Sequence, residues 1–135
     1  MQIESIMEEQ QNYRWKSKNI LVVEDDESSA FLLGTFLKET GASISFATDG
    51  NEAVDFVREH PETDLILMDI LLPDKDGFTA TREIKSFARD VVVIAQTAYA
   101  FSMDHHEALR AGCDAYLTKP LNMSLLLDKI DGYLT

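Results

Sequence analysis

The sequence predicts an open α/β fold in which five parallel strands alternate with five helices. Short β-rich runs take turns with segments whose apolar residues recur at helical spacing. Four of the five runs are apolar nearly throughout, which is typical of parallel strands covered on both faces. Such an alternation packs as a doubly wound sheet with right-handed crossovers and helices on both faces.

The elements follow one another from residue 19 onward. The predicted strands span residues 19–24, 42–48, 64–69, 91–97 and 114–119. Four helices show apolar stripes, namely Ala30, Leu33 and Leu37; Ala53, Val54 and Val57; Ala80, Ile84, Phe87 and Ala88; and Leu126, Ile130, Tyr133 and Leu134. The fourth helix in chain order, around residues 102–111, has the poorest stripe, so we expect it to be the least firmly packed.

The first eighteen residues do not join this pattern. Ile3, Ile6, Met7 and Tyr13 form only a faint helical stripe, and residues 14–18 are typical of a linker. A chain of 135 residues is of common size for one domain. We therefore divide it into an N-terminal extension, residues 1–18, and one folded domain, residues 19–135.

The charge of the chain limits its partners. Its formal net charge is -12 at pH 7, which repels phosphate backbones and anionic lipids, so we expect no direct binding to nucleic acid or a membrane. Cys113 is the single cysteine, which excludes an internal disulfide and a metal-thiolate cluster. No apolar run approaches the roughly 20 residues needed to span a bilayer, and the N-terminus lacks a signal-peptide pattern. The expected location is the cytoplasm.

Polar side chains stand at the ends of four predicted strands. Glu24 and Asp25 end the first, Asp69 the third, Thr97 the fourth and Lys119 the fifth. In sheets of this kind, ligands bind outside the carboxyl ends of the strands. Clustered acids repel one another, and a divalent cation relieves this; oxygen-only ligands favour Mg²⁺ over zinc. A carboxylate beside Mg²⁺ and an ammonium can attack a phosphoryl group, and Asp69 is the natural acceptor.

Five ordered features resemble the receiver domains of two-component response regulators, over about residues 19–135. They are Glu24-Asp25 after ILVV, Asp69 with Pro73 and Gly77 in DILLPDKDG, Thr97-Ala98, Tyr116, and Lys119-Pro120 in YLTKP. The resemblance implies a flavodoxin-like fold with strand order 2-1-3-4-5. It also implies that the peptide bond between Lys119 and Pro120 is cis.

The resemblance assigns phosphoacceptor and metal-binding roles. Asp69 would accept a phosphoryl group from a phosphohistidine on a histidine kinase or a histidine phosphotransfer protein. Asp25, Asp69 and the backbone carbonyl of Leu71 would ligate Mg²⁺, with Glu24 acting mainly through water. Lys119 would pair with the acyl phosphate.

The resemblance also implies a switch. Thr97 would turn its hydroxyl toward the phosphoryl oxygens, and Tyr116 would move inward behind it. The fourth helix, fifth strand and fifth helix would then bind a partner or a second copy of the chain. Leu71 and Tyr99, two positions beyond Asp69 and Thr97, lie where side chains affect the attacking water. Because an apolar Leu71 cannot orient that water, we predict slow autodephosphorylation.

Three other functions compete with this interpretation. A flavin-binding domain on the same fold needs a hydroxyl-rich phosphate loop, whereas the segment EDDESS after the first strand would repel phosphate. An aspartyl-phosphate hydrolase typically carries an acid two positions after its nucleophile, where this chain has Leu71. A pseudo-receiver, acting only in docking or dimerisation, usually lacks the acceptor, the metal acid or the lysine. It is the alternative we retain, although all three groups are present.

The host protein is a separate question. The segment TAYAFSMDHHEALRAGCDAYLTKPL and the upstream pair Tyr13 and Trp15 resemble receivers fused to hybrid sensor kinases. We therefore favour a hybrid-kinase receiver, with a single-domain regulator as the alternative, and we predict that deletion of residues 1–17 leaves the domain phosphorylatable. His60, His105 and His106 are interpreted as solvated surface residues.

Overall fold

The structure is a computed structural model that describes residues 15–98 and 102–135, with side chains in the fourth helix described from residue 106. The strands are β1 (Asn19–Val23), β2 (Ser43–Ala47), β3 (Leu65–Asp69), β4 (Val92–Thr97) and β5 (Ala115–Thr118). The helices are α1 (Glu27–Lys38), α2 (Gly50–Glu59), α3 (Gly77–Phe87), α4 (Ser102–Ala111) and α5 (Met123–Leu134). None of these described helices is long and apolar enough to cross a membrane.

The five strands form one parallel sheet in the order β2-β1-β3-β4-β5, which confirms the predicted fold class and strand order. In its register, Asp69 of β3 lies opposite Gln96 of β4, which lies opposite Leu117 of β5. Opposed residues of parallel strands point to the same face, so these three side chains share a face. Thr97 and Tyr116 point to the other face, because side chains alternate along a strand.

The sheet divides the hydrophobic core into two clusters. One cluster joins Leu67 and Ile94 of the sheet with residues of α1 and α5, including Leu37 and Leu127. The other joins strand residues with Val54 of α2, Ile84 of α3 and Ala108 of α4. Inner strands covered by both clusters carry apolar residues on both faces, which explains their nearly continuous apolar sequence.

Side-chain caps begin the helices at the carboxyl edge of the sheet. Asp26, Asp49, Asp76 and Asn122 each accept a hydrogen bond from the backbone N–H three residues later, at 2.8 to 3.1 Å. Each cap satisfies a donor that the first helical turn leaves unpaired. The caps therefore fix the loops that surround the carboxyl ends of the strands.

Trp15 belongs to the folded domain, which corrects the expectation of a linker over residues 14–18. Its side chain is 0% exposed and lies in the same core cluster as Ile130. Its indole N–H donates to Asp131 Oδ1 at 2.9 Å, and its backbone N–H donates to the Thr40 carbonyl at 3.3 Å. The sequence pattern missed it because Trp15 precedes β1 and belongs to no periodic run. The division at residues 18 and 19 stays a prediction, and residues 1–14 lie outside the described part.

Candidate functional site

Buried acids meet where β1 and β3 end. Asp69 is the last residue of β3, and Glu24 directly follows β1, the neighbouring strand. The side chains of Glu24 and Asp69 are 1% and 6% exposed. Asp25 is exposed beside them. Charged carboxylates removed from water in this way need a compensating charge.

Lys119 provides that charge. Its Nζ donates to Glu24 Oε1 at 2.9 Å and to Asp69 Oδ2 at 3.1 Å. The Lys119–Pro120 peptide is cis, as expected. The backbone N–H of Lys119 donates to the Thr97 carbonyl at 2.6 Å, which ties the end of β5 to the end of β4. One ammonium is thus held between two carboxylates at the edge of the sheet.

The pKa shifts follow from this arrangement. Burial raises the pKa of Glu24, and the nearby Asp69 carboxylate raises it further, against the opposing effect of Lys119. Burial alone would lower the pKa of Lys119, but its hydrogen bonds and charge interactions with Glu24 and Asp69 outweigh burial and raise the pKa. Two carboxylates therefore compete for one cation.

The loop between β3 and α3 holds Asp69 from a second side. The Leu71 backbone N–H donates to Asp69 Oδ1 at 3.1 Å, and the Gly77 N–H donates to the Ile70 carbonyl at 3.1 Å. A Cβ at position 77 would collide with the backbone oxygen of Asp69, so only glycine allows this close approach. The Leu71 side chain is 52% exposed. The acceptor carboxylate is therefore fixed, whereas the side chain two residues later faces solvent.

The carboxylates fit a hard divalent cation. Glu24, Asp25 and Asp69 each offer an oxygen, and these oxygens lie within 4.8 Å of one another. Oxygen ligands with open access to water suit Mg²⁺, which keeps several waters when it binds to proteins. The exposed Asp25 leaves one side of the cluster open to solvent. The residues present therefore fit Mg²⁺.

The predicted switch residues occupy neighbouring strands. Thr97 ends β4 and is 0% exposed. Tyr116 is partly buried in β5 and packs against the cluster that contains Ala95 and Ala108. Both lie on the face of the sheet opposite to Asp69, and their roles in switching stay predictions. Tyr99 lies outside the described residues.

The three histidines lie away from the acidic cluster or outside the description. His106 is exposed, as expected. His60 is only partly exposed, because its ring stacks on Phe56 with the centroids 4.2 Å apart. The side chain of His105 lies outside the described residues.

Gln96 is the residue at this edge that sequence reasoning did not single out. It is 1% exposed and lies opposite Asp69 in the sheet. The available signal was a lone amide in the otherwise apolar run VVIAQT.

A model of the response regulator receiver domain matches residues 20–131. The chain belongs to the response regulator receiver family. The match covers all predicted site residues of this receiver domain, from Glu24 to Lys119. It confirms the family that the motifs predicted and its place in two-component signalling.

Individual relatives support this family assignment. The polar-differentiation response regulator DivK of Brucella ovis is 36% identical over 120 residues, which cover 87% of this chain and 97% of DivK. The receiver domain of the yeast regulator Ssk1, crystallised with the histidine phosphotransfer protein Ypd1 of Saccharomyces cerevisiae, superposes with a TM-score of 0.82 at 34% identity, covering 88% of this chain and 90% of that one. The receiver domain of the Pseudomonas aeruginosa sensor histidine kinase PA1611, crystallised with magnesium in its active-site cleft, gives a TM-score of 0.80 at 35% identity, covering 87% and 98%.

Proposed function

We propose that Asp69 accepts a phosphoryl group from a phosphohistidine. The observation that carries this proposal is the buried Asp69 carboxylate held by Lys119 beside Glu24 and Asp25. In the transfer, the bond from phosphorus to the histidine nitrogen breaks as a bond to an Asp69 carboxylate oxygen forms. The product is an acyl phosphate on β3.

The residues of the site have different roles in the phosphoryl transfer. β3 and the Leu71 N–H hold the Asp69 carboxylate in a fixed position, which favours attack by keeping the nucleophile aligned. Lys119 places positive charge beside the phosphoryl oxygens. Asp25, Asp69 and the Leu71 carbonyl would hold Mg²⁺, with Glu24 acting through water. The cation would supply further positive charge to those oxygens.

The output would be a shift between two conformations of the domain. A phosphoryl group on Asp69 attracts the Thr97 hydroxyl and Lys119, so it favours the arrangement in which both face it. The hydrogen bond from the Lys119 N–H to the Thr97 carbonyl supports this coupling, because it links the ends of the two strands. Tyr116 would follow Thr97, and the surface formed by α4, β5 and α5 would change.

The partners follow from the same chemistry. The donor would be a histidine kinase or a histidine phosphotransfer protein, which is supported by the likeness to the Ssk1 receiver crystallised with Ypd1. The likeness to the receiver of a sensor histidine kinase supports a hybrid-kinase host. A homodimer through α4, β5 and α5 is a further proposal, and the charge of -12 disfavours nucleic acid and membranes. A single cysteine suits the reducing cytoplasm as the location.

Phosphorylation by acetyl phosphate tests the proposal directly. We expect intact mass to show the gain of one phosphoryl group with Mg²⁺ and no gain without it. Asp69→Ala and the nearly isosteric Asp69→Asn should both abolish the gain. Asp90→Asn is the matched control, because Asp90 is an exposed acid that precedes β4 at the opposite end of the sheet.

Two results would contradict the proposal. A phosphoryl group that persists in Asp69→Asn would show a different acceptor. No gain in the wild type, from acetyl phosphate or from a phosphorylated histidine phosphotransfer protein, would favour the pseudo-receiver that acts only in docking.

A further inference from the structure

The Gln96 amide is buried without a hydrogen-bond partner among the residues that the structure describes. Both Oε1 and Nε2 are enclosed and unpaired, and the residue is 1% exposed. A buried polar group left unsatisfied destabilises the fold, and an apolar side chain of the same shape would avoid that cost. A polar group in this state calls for an explanation, and a functional role is one of the known ones.

The sheet places this amide beside the proposed acceptor. Gln96 lies opposite Asp69 on one side and Leu117 on the other, so the three side chains share one face. Ile94, two residues earlier on the same face, belongs to the apolar cluster there. Lys119, two residues beyond Leu117, donates from its ammonium to Asp69 Oδ2 at 3.1 Å. The strand neighbour of Gln96 on the β3 side is therefore the proposed phosphoacceptor itself.

Lys119 has hydrogen-bonding capacity that suits this neighbour. A lysine ammonium carries three N–H donors, and Glu24 and Asp69 accept two of them here. The Gln96 Oε1 is an uncharged acceptor, so it can hold a cation without adding to the acidic charge of the site. In the present arrangement the ammonium donates to these two carboxylates, and neither polar atom of the Gln96 side chain has a partner in the described part of the chain.

We propose that Gln96 is a positioning residue that accepts a hydrogen bond from Lys119 when Asp69 is phosphorylated. This inference rests on the proposed function of Asp69. As the ammonium turns from Glu24 toward the phosphoryl oxygens, its third N–H meets the Gln96 Oε1. The amide is unsatisfied before phosphorylation and satisfied after it, so it favours the phosphorylated arrangement by its different interactions in the two states.

The variant Gln96→Met tests this, because methionine keeps the length of the side chain and removes the amide. We expect its stability toward urea to equal or exceed that of the wild type. Its phosphorylation by acetyl phosphate with Mg²⁺ should slow by about tenfold, the low end of what a hydrogen bond to a charged group contributes. Leu117→Met is the matched control in the same row, and its rate should stay within about twofold of the wild type, as expected for a volume-conserving swap.

A double-mutant cycle shows whether Gln96 acts through Lys119. In a Lys119→Met background, we expect Gln96→Met to cause no further loss of rate, because the hydrogen bond is already absent. An equal loss in both backgrounds would overturn the inference, since a merely structural role would not depend on Lys119. Gln96→Leu replaces Gln96→Met if the latter does not fold.

The outcomes separate the two proposals. A wild type that takes up no phosphoryl group would refute the role of Asp69. A wild type that is phosphorylated, together with a Gln96→Met variant that reacts equally fast, would leave the role of Asp69 intact and refute only the role of Gln96.

Discussion

Lys119 is a structural counter-ion as well as a proposed catalytic group. It lies between two carboxylates that are almost completely buried. Its removal would leave those charges close together with no cation between them. The stability of the domain and its affinity for metal are therefore linked through one side chain.

Lys119→Met should destabilise the metal-free domain by about 2 kcal/mol, below the about 3–5 kcal/mol typical of fully buried pairs. The smaller value is expected because the lysine is 29% exposed, and because the raised pKa of Glu24 makes it easier for that carboxylate to take up a proton. Added Mg²⁺ should restore more stability in this variant than it adds to the wild type, measured by urea unfolding with Mg²⁺ or with chelator.

Lys85→Met is the matched control for that experiment. Lys85 is 19% exposed and pairs with Asp114 at 2.9 Å, away from the acidic cluster. Equal stabilisation of both variants by Mg²⁺ would contradict a metal site at Glu24, Asp25 and Asp69.

Leu71 offers a test of phosphoryl lifetime. Its side chain is exposed next to the acceptor and cannot orient water by hydrogen bonding. Leu71→Asn should speed decay of the acyl phosphate by about fivefold, the effect of one hydrogen bond of about 1 kcal/mol. Decay is followed by intact mass after removal of acetyl phosphate. Leu109→Asn is the matched control, because it changes a leucine that is also exposed but lies on α4. Unchanged decay in Leu71→Asn would refute the prediction.

At the scale of elements, the segment before β1 behaves as part of the fold. Trp15 joins the last turn of α5 through its indole and the turn after α1 through its backbone. That the domain stays phosphorylatable without residues 1–17 remains a prediction, but the burial of Trp15 indicates that this deletion lowers its stability. The safe limit for a deletion lies before Trp15.

Two deletions that differ by three residues test this limit. Removal of residues 1–14 should leave the unfolding free energy unchanged. Removal of residues 1–17 should cost about 3–5 kcal/mol, the range for losing a large aromatic side chain from a core. Urea unfolding measures both. Trp15→Phe, which keeps most of the buried surface, should lie between them, and equal stability of the two deletions would show that Trp15 contributes nothing.

The sequence predicted the elements well where one residue pattern dominated. The apolar runs of β1, β3 and β4 specified buried parallel strands, and the polar residues that end them specified the site. Trp15 was missed because a single aromatic outside any periodic run carries no signal of its partner on α5. Gln96 was missed because its meaning depends on register, which places its amide opposite Asp69 and is not visible in one strand alone.

At the scale of the whole molecule, the sheet separates the acceptor from the proposed switch. The Asp69 side chain points to the face covered by α1 and α5, whereas Thr97 and Tyr116 point to the face covered by α2, α3 and α4. Any signal from the acyl phosphate to α4 therefore passes across the edge of the sheet. We therefore expect the side chains at the strand ends, such as Thr97 and Lys119, and the loops that follow them to move together with Tyr116.

The stability of the whole domain should fall at alkaline pH through Cys113. Burial raises the pKa of this thiol to about 11 from its usual value near 9.0. The thiol stays protonated in the folded chain while the unfolded chain ionises, so its contribution is complete below pH 9 and is lost as pH rises toward 11. The loss across that range should be about 2–3 kcal/mol.

Cys113→Ala isolates this effect. Alanine leaves a small cavity at every pH, so the variant should be less stable than the wild type near neutrality. The difference between the two should shrink as pH rises from 9 to 11, measured by urea unfolding. A constant difference over that range would show that the thiol does not titrate with folding.

The hydrogen bond between Trp15 and Asp131 bears on how such a domain can be inserted into other proteins. It places Trp15, the first residue that the structure describes, beside the last turn of α5, the last helix that it describes. The two ends of a segment made of residues 15–135 would therefore lie side by side. Such a segment could be inserted into a surface loop of another protein without distorting the fold of that protein.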